Sequence, residues 1–344
     1  MIGILTFHYT TNYGAILQTY ALQKFLISAG IHSEVIDYRQ KSALKTYAKV
    51  LFLNKNFLHG FIKYLKFKKF IKENIIVSNL KAYDKKNLNE IISKYETIIV
   101  GSDEVWKTNS FRGYDPSFFL IFDKYQIKKI SFAASVGGIK TFGNKKNTIN
   151  NALKDFKFIS VRDDLSRRLI KKESGQDCIK IFDPTLLIEF PIDTKIKIKI
   201  KDYILVYGKL KKDEIKIVRE IAILNNYEII SIGYNNIDVD QNFLSAGVKE
   251  WIEYFRHAKI IFSSFFHGVI FGLKFHKNTF VLKRNEKDYK IDELKDDLKL
   301  IVKKSFQGID FSHTSIHHYV YSDSSEKLIY KARQLAFEFI DKAV

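Results

Sequence analysis

The sequence predicts an α/β protein made of two doubly wound domains, on three observations. Short apolar runs alternate with stretches of helical periodicity along most of the chain. Each run ends in a polar or glycine-containing turn, the pattern of a parallel sheet covered on both faces. The alternation breaks once, around Pro191 and the KIKIKIK tract, and then starts afresh.

Residues 2–7 read as the first strand and 10–14 as a polar turn. Residues 15–28 place Leu17, Ala21, Leu22, Phe25 and Leu26 at helical spacing, and Gly30 stops that helix. A second strand covers 34–38. Residues 41–72 carry nine lysines and no acidic residue, interleaved with leucines, isoleucines and phenylalanines. They form a basic helical insertion over about 41–80. After a helix at 88–95, strands at 97–101, 129–135, 158–161 and 179–182 lead in turn to Ser102-Asp103, Gly137-Gly138, Arg162-Asp163 and Asp183-Pro184. A helix spans 165–171. The first domain therefore covers 1–190, with a linker over 190–202. The second, 200–322, repeats the pattern: strands at 203–207, 228–232, 260–262 and 279–282, and helices at 213–225 and 251–258. A last helix lies within 323–344 and is expected to cross back onto the first domain.

A chain of 344 residues with 46% hydrophobic content suits two ordinary domains and is not globally disordered. The single cysteine, Cys178, permits no internal disulfide and fits a reducing, cytoplasmic compartment. No apolar run approaches the roughly 18–20 residues that cross a bilayer, and the N-terminus carries no basic leader. The formal charge of +19 draws anions. No RNP, zinc-finger or helix-turn-helix pattern accompanies it, so nucleic acid is not expected. The 41–72 stretch suits a membrane surface or a lipid-linked acidic substrate, and equally the solvated face of a lysine-rich helix pair.

Ligands of open parallel sheets bind outside the carboxyl ends of the strands, and two facing domains would share one such interdomain cleft. The residues following strands are accordingly the candidates. His267 stands where an apolar strand hands over to a helix, with Ser264 and Gly268 beside it. That position favours an anion and allows proton donation, or else His267 is a satisfied core histidine. Arg162 offers a fork for carboxylate or phosphate, or pairs with Asp163 or Asp164. Asn12, Tyr13 and Gly14 read as substrate contacts or as turn and cap. Asp103 and Ser135 are cleft candidates, Asp103 also being a possible cap. Lys287 closes a cationic loop that begins at Lys283-Arg284, and a solvated lysine reads equally well. Asp238 with Asp240, and His313, His317 and His318 at metal-like spacing on a helix, are weaker candidates; no metal is expected. P-loop, GxGxxG and GxSxG signatures are absent.

Taken together, GILTFHYTTNYGAILQTYALQ, VGSDEVW, SFAASVG, ISVRD, DPTLL and SSFFHG, in this order, resemble the polysaccharide pyruvyl transferase family over roughly residues 2–291. The resemblance implies two Rossmann-like domains in a GT-B-like arrangement. It also implies transfer from phosphoenolpyruvate to two hydroxyls of a sugar, giving a cyclic pyruvate ketal, with no cofactor. The acceptor would be a cell-surface polysaccharide or its lipid-linked oligosaccharide precursor, reached at the inner face of the plasma membrane through 41–72. By position, His267 looks like the family's catalytic acid, Arg162 like a phosphoenolpyruvate contact and Lys287 like a basic residue after the last strand. Some members carry an arginine two residues before the histidine, where this chain has Phe265. Glu104 and Lys107 replace the more usual glutamine and asparagine. The alternatives are a GT-B glycosyltransferase using a nucleotide sugar, and a non-catalytic basic protein that binds a glycan or membrane.

Overall fold

The computed structural model describes residues 1–52, 57–122, 126–284 and 288–344, with the side chains of 48–52 left out. The chain divides into two units, one of residues 1–57, 68–189 and 330–344, the other of residues 58–67 and 190–329.

In the first unit β1 (Ile2–Leu5), β2 (Ser33–Tyr38), β3 (Val77–Ala82), β4 (Thr97–Val100), β5 (Lys128–Ala134), β6 (Phe156–Val161) and β7 (Ile179–Lys180) form one parallel sheet. Its order is β3-β2-β1-β4-β5-β6-β7. The order turns back between β1 and β4, as in a doubly wound sheet. The helices are α1 (Tyr13–Ser28), α2 (Lys41–Phe52), α3 (Phe57–Asn74), whose residues 58–67 belong to the other unit, α4 (Lys85–Ile92), α5 (Lys146–Lys154), α6 (Asp164–Ser174) and α7 (Pro184–Leu187). Every residue of β1 and β4 is buried, which is why both read as unbroken apolar runs. The insertion expected to be helical over 41–80 is α2 and α3 followed by β3. β3 is an edge strand, and its exposed Asn79, Leu80 and Lys81 hide the strand signal. After β4, the buried Trp106 stacks on Phe119 at 5.9 Å and donates from Nε1 to the Phe118 carbonyl at 2.9 Å, pinning the loop.

The second unit contains β8 (Tyr203–Tyr207), α8 (Lys212–Asn225), β9 (Glu228–Ile232), β10 (Gln241–Phe243), α9 (Val248–His257), β11 (Ile260–Ser263), α10 (Phe266–Lys274), β12 (Asn278–Leu282), α11 (Tyr289–Asp297), β13 (Ile301–Lys303), β14 (Ser305–Phe306), β15 (Ile309–Asp310) and β16 (Ile316–Val320). Its main sheet runs β10-β9-β8-β11-β12-β16-β13, and β14 pairs with β15 separately. β16 is antiparallel to both neighbours. A final helix, α12 (Asp323–Ala343), follows.

β16 corrects the expectation of a histidine helix. Ile316, Tyr319 and Val320 pair as a strand with β12 and β13, so His317 and His318 point to opposite faces. His318 is buried and stacks on Phe280 at 4.5 Å with the rings 10° apart. Burial, helped by the Lys303 ammonium, pushes its pKa down to about 4. The unfolded imidazole takes up its proton near pH 6.5. Stability is therefore full above that pH and drains as pH falls towards the folded value, by about 3 kcal/mol at most. His318→Phe keeps the stack and removes the proton site. Urea midpoints of the variant are expected to fall less between neutral and mildly acid pH than those of the parent. Equal losses in the two proteins would refute the assignment.

Candidate active site

In the first unit, the loops after β4, β5, β6 and β7 bring a charged cluster together. Arg162, directly after β6, has a side chain only 3% exposed. Its Nη1 donates to Asp183 Oδ2 at 2.9 Å, and its Nη2 lies 3.5 Å from Asp103 Oδ1. Burial pulls the guanidinium pKa down, but Asp103 and Asp183 overcome that and raise it above the ordinary arginine value. Asp183 is fully determined by its neighbours: its Oδ1 also accepts from Thr185 N at 3.1 Å and Thr185 Oγ1 at 2.7 Å, capping α7. Asp103 has φ of 79°, the left-handed region costly for a non-glycine residue, and its side chain remains 19% exposed. Ser135 joins the cluster through its main chain, donating to the Asp103 carbonyl at 2.9 Å. Its hydroxyl donates to Asp163 Oδ2 at 2.6 Å, while Asp163 Oδ1 caps α6 at Ser166 N, 2.7 Å away. The adjacent carboxylates are thus engaged elsewhere, Asp164 with Arg167 and Lys180.

Asn12 caps α1, its Oδ1 accepting from Ala15 N at 3.2 Å; Tyr13 and Gly14, in the first turn, are buried. Behind this loop lies a buried group that sequence reasoning missed. His8 Nε2 is 3.0 Å from Asp37 Oδ1, and Asp37 also takes two bonds from Arg39 at 2.6 and 2.9 Å. Burial raises the Asp37 pKa, but hydrogen bonds from His8 and Arg39 outweigh it and hold the carboxyl below its ordinary value. The signal was available: a histidine three residues beyond the strand end, opposite the aspartate of EVIDY on the neighbouring strand.

In the second unit, β11 passes through Ser263 and Ser264 into α10, whose first residues are Phe266, His267 and Gly268. Among the described residues no side-chain hydrogen bond from the N-cap position closes the start of α10, which lies where the strand ends. His267 is half-buried and meets the Phe266 ring edge-on at 5.5 Å. Ser264 N donates to the Tyr207 carbonyl at 3.2 Å. Gly268 has a packing reason: a Cβ there would stand 2.1 Å from Ser263 Oγ and 2.7 Å from Tyr207 Cδ1, so only glycine lets α10 lie against β8 and β11. Phe265 stacks on Tyr234 at 5.1 Å and packs on Tyr207 at 4.9 Å, making an apolar wall before His267. Arg284 is tied to the fully buried Glu214 by two bonds of 2.5 and 2.6 Å. Lys287 lies outside the described residues. Asp240 pairs with Arg219 at 2.9 Å and accepts from Ile229 N at 2.7 Å. Among the described residues, no group of three or more His, Cys, Asp or Glu is arranged to hold a metal ion.

Solved structures share this fold at low identity. UDP-N-acetylglucosamine 2-epimerase from Rickettsia bellii is 9% identical with a TM-score of 0.51, covering 99% of this chain and 95% of its own. The putative epimerase from Listeria monocytogenes is 10% identical with a TM-score of 0.51, covering 100% and 89%. S. aureus MnaA, solved with UDP, is 10% identical with a TM-score of 0.50, covering 99% and 91%. These likenesses show the fold alone, two Rossmann-like units of the GT-B kind. No curated protein matches the chain. A family profile described as polysaccharide pyruvyl transferase matches residues 12–286, a span that includes Asn12, Asp103, Arg162 and His267. On that match, the chain belongs to the polysaccharide pyruvyl transferase family.

Proposed function

We propose that this protein transfers a pyruvyl unit from phosphoenolpyruvate to two hydroxyls of one sugar, in a cell-surface polysaccharide or its lipid-linked precursor. His267 acts as general acid. The observation that carries this reading is the place of His267 in the first turn of a helix that follows a buried strand, in a chain of this family. The imidazolium gives its proton to the methylene carbon of the enol, leaving an oxocarbenium-like centre at C2. One sugar hydroxyl adds there and returns a proton to the His267 imidazole; phosphate then departs, and a second hydroxyl closes the ketal, its proton leaving with the phosphate. The positive end of the α10 dipole favours the donor's charge.

Arg162 is the second cation of the reading. Its bond to the buried Asp183 is short and fixed, whereas Asp103 is more distant and partly exposed. Asp103 is therefore the partner that a donor anion would replace. On family membership we assign Ser264, Gly268 and Lys287, the last outside the described residues, to the donor, and Asn12, Tyr13, Gly14 and Ser135 to the acceptor.

No helix among the described residues is long and apolar enough to cross a membrane. A peripheral contact at the cytoplasmic face is supported by α3. Leu58, Ile62 and Leu65 are 72%, 43% and 47% exposed. They share one helix face with the exposed Lys68, Lys69 and Lys72 one to two turns on.

The likeness to UDP-bound MnaA is what favours the nucleotide-sugar alternative. Incubation with phosphoenolpyruvate or a UDP-sugar, using methyl hexopyranosides as acceptors and with or without anionic vesicles, separates the readings. Phosphate release with a new ketal methyl resonance, and cosedimentation with the vesicles, are the expected results. Nucleotide release without ketal would sink the donor assignment, and protein left in the supernatant would sink the membrane contact.

A further inference from the structure

The second unit holds a cavity of about 240 Å³ at the end of its sheet remote from His267. Residues 276–278, at the start of β12, and residues 319–323 and 326, which end β16 and begin α12, line it. All of them belong to this one unit. β11 and β12 run parallel, and Thr279 pairs with Tyr319 in the antiparallel β12–β16 ladder. The cavity therefore sits at the amino end of β12, whereas His267 follows the carboxyl end of β11. α10 stops beside it in a left-handed turn. His276 has φ of 54°, and His276 N donates to the Leu273 carbonyl and Lys277 N to the Gly272 carbonyl, each at 2.9 Å. Glycine is the ordinary residue at such a helix end. The chain places an imidazole there instead, and its ring meets Tyr321 edge to face at 4.9 Å; both residues line the cavity.

Donors and acceptors share this space. Lys277 and Asn278 supply N–H groups, and Asp323 and Glu326 supply carboxylate oxygens. None of these four side chains has a hydrogen-bond or ion-pair partner among the described residues. Burial, reinforced by the Lys259 and Arg256 charges, pushes the half-buried Lys277 ammonium below its ordinary pKa. An anion entering here meets Asp323 and Glu326, and a cation meets Lys277. A neutral polyol meets neither conflict: its hydroxyls donate to the carboxylates and accept from the ammonium and the amide. In an edge-to-face pair one ring keeps both faces clear of the other, so the His276–Tyr321 pair offers an apolar surface for C–H groups. A water needs only about 10–15 Å³ of such space. The cavity thus has room for a six-membered ring with its hydroxyls.

We propose that this cavity binds a neutral hexopyranose, a sugar of the glycan chain other than the one that is modified; it rests on the reading that the acceptor is a glycan. Binding is followed in the full chain through the methyl resonances of Val320, which lines the cavity, so that occupancy beside His267 does not register. Those resonances are identified by their loss in Val320→Ile. The probes are methyl glucoside, methyl galactoside and methyl mannoside, set against inorganic phosphate, spermidine and alanine. At least one hexopyranoside is expected to shift the Val320 signals with an affinity about 10-fold or more above that of the three charged probes. Asp323→Asn combined with Glu326→Gln should weaken that affinity about 10-fold. His276→Gly removes the ring and supplies the residue that the left-handed turn prefers, so binding should weaken several-fold with the thermal midpoint little changed. Val320 signals that no hexopyranoside moves, equal affinity for phosphate, spermidine or alanine, or full affinity in either variant overturns the proposal. Failure of the pyruvyl-transfer reading would appear differently, as intact Val320 shifts without turnover of phosphoenolpyruvate.

Discussion

His267→Ala is expected to lower phosphoenolpyruvate-dependent ketal formation by about 10²–10⁴-fold, the usual worth of a positioned acid. The thermal midpoint should barely move. The imidazole is half-buried, and α10 is anchored by the fully buried Val269, Ile270 and Phe271 rather than by this ring. Phosphate release and the ketal methyl resonance are the readouts. His267→Gln, which retains a hydrogen-bonding group but no transferable proton, should be as impaired as the alanine variant. Turnover within a few-fold of the parent in either variant would remove His267 from the acid role.

Arg162→Met carries the largest expected loss of stability. The substitution deletes the cation that balances Asp183, whose side chain is wholly buried. A carboxylate stranded in this way costs about 3–5 kcal/mol. Urea unfolding of the full chain measures it. Adding Asp183→Asn to Arg162→Met should recover part of the loss, because the double variant no longer holds an uncompensated charge. Additive losses would mean that the two side chains are not energetically coupled, and the cluster would have to be explained by other contacts. Arg162→Lys separates charge from geometry. It keeps the cation but cannot reach Asp183 and Asp103 as a fork.

What could be read from the sequence followed from burial. β1, β4, β8 and β11 lie inside their sheets, so they are continuous apolar runs that end abruptly at polar loops. The strand-turn-helix around His267 and the Asn12 cap were legible for the same reason. Edge positions were not. β3 and β13 carry exposed lysines, and β16 places two histidines where a helix also would. The partners of Arg162 were illegible for a different cause. Asp163 and Asp164 are its neighbours in sequence, yet one caps α6 and the other faces Arg167 and Lys180. Its true partners come from the loops after β4 and β7, strands separated by β5 and β6 in the sheet order. Only the tertiary arrangement of those loops supplies that information.

The end of α12 has a bearing on how the protein is made. Phe337 packs on Phe25, and Phe339 packs on Phe132 and Phe158, so residues that follow the second unit in the chain complete a sheet built from residues that precede it. Folding from the N-terminus forward, the ordinary course for a nascent multidomain chain, is interrupted here. Until α12 has been made, the apolar face that Phe337 and Phe339 cover stays open while the second unit is synthesised.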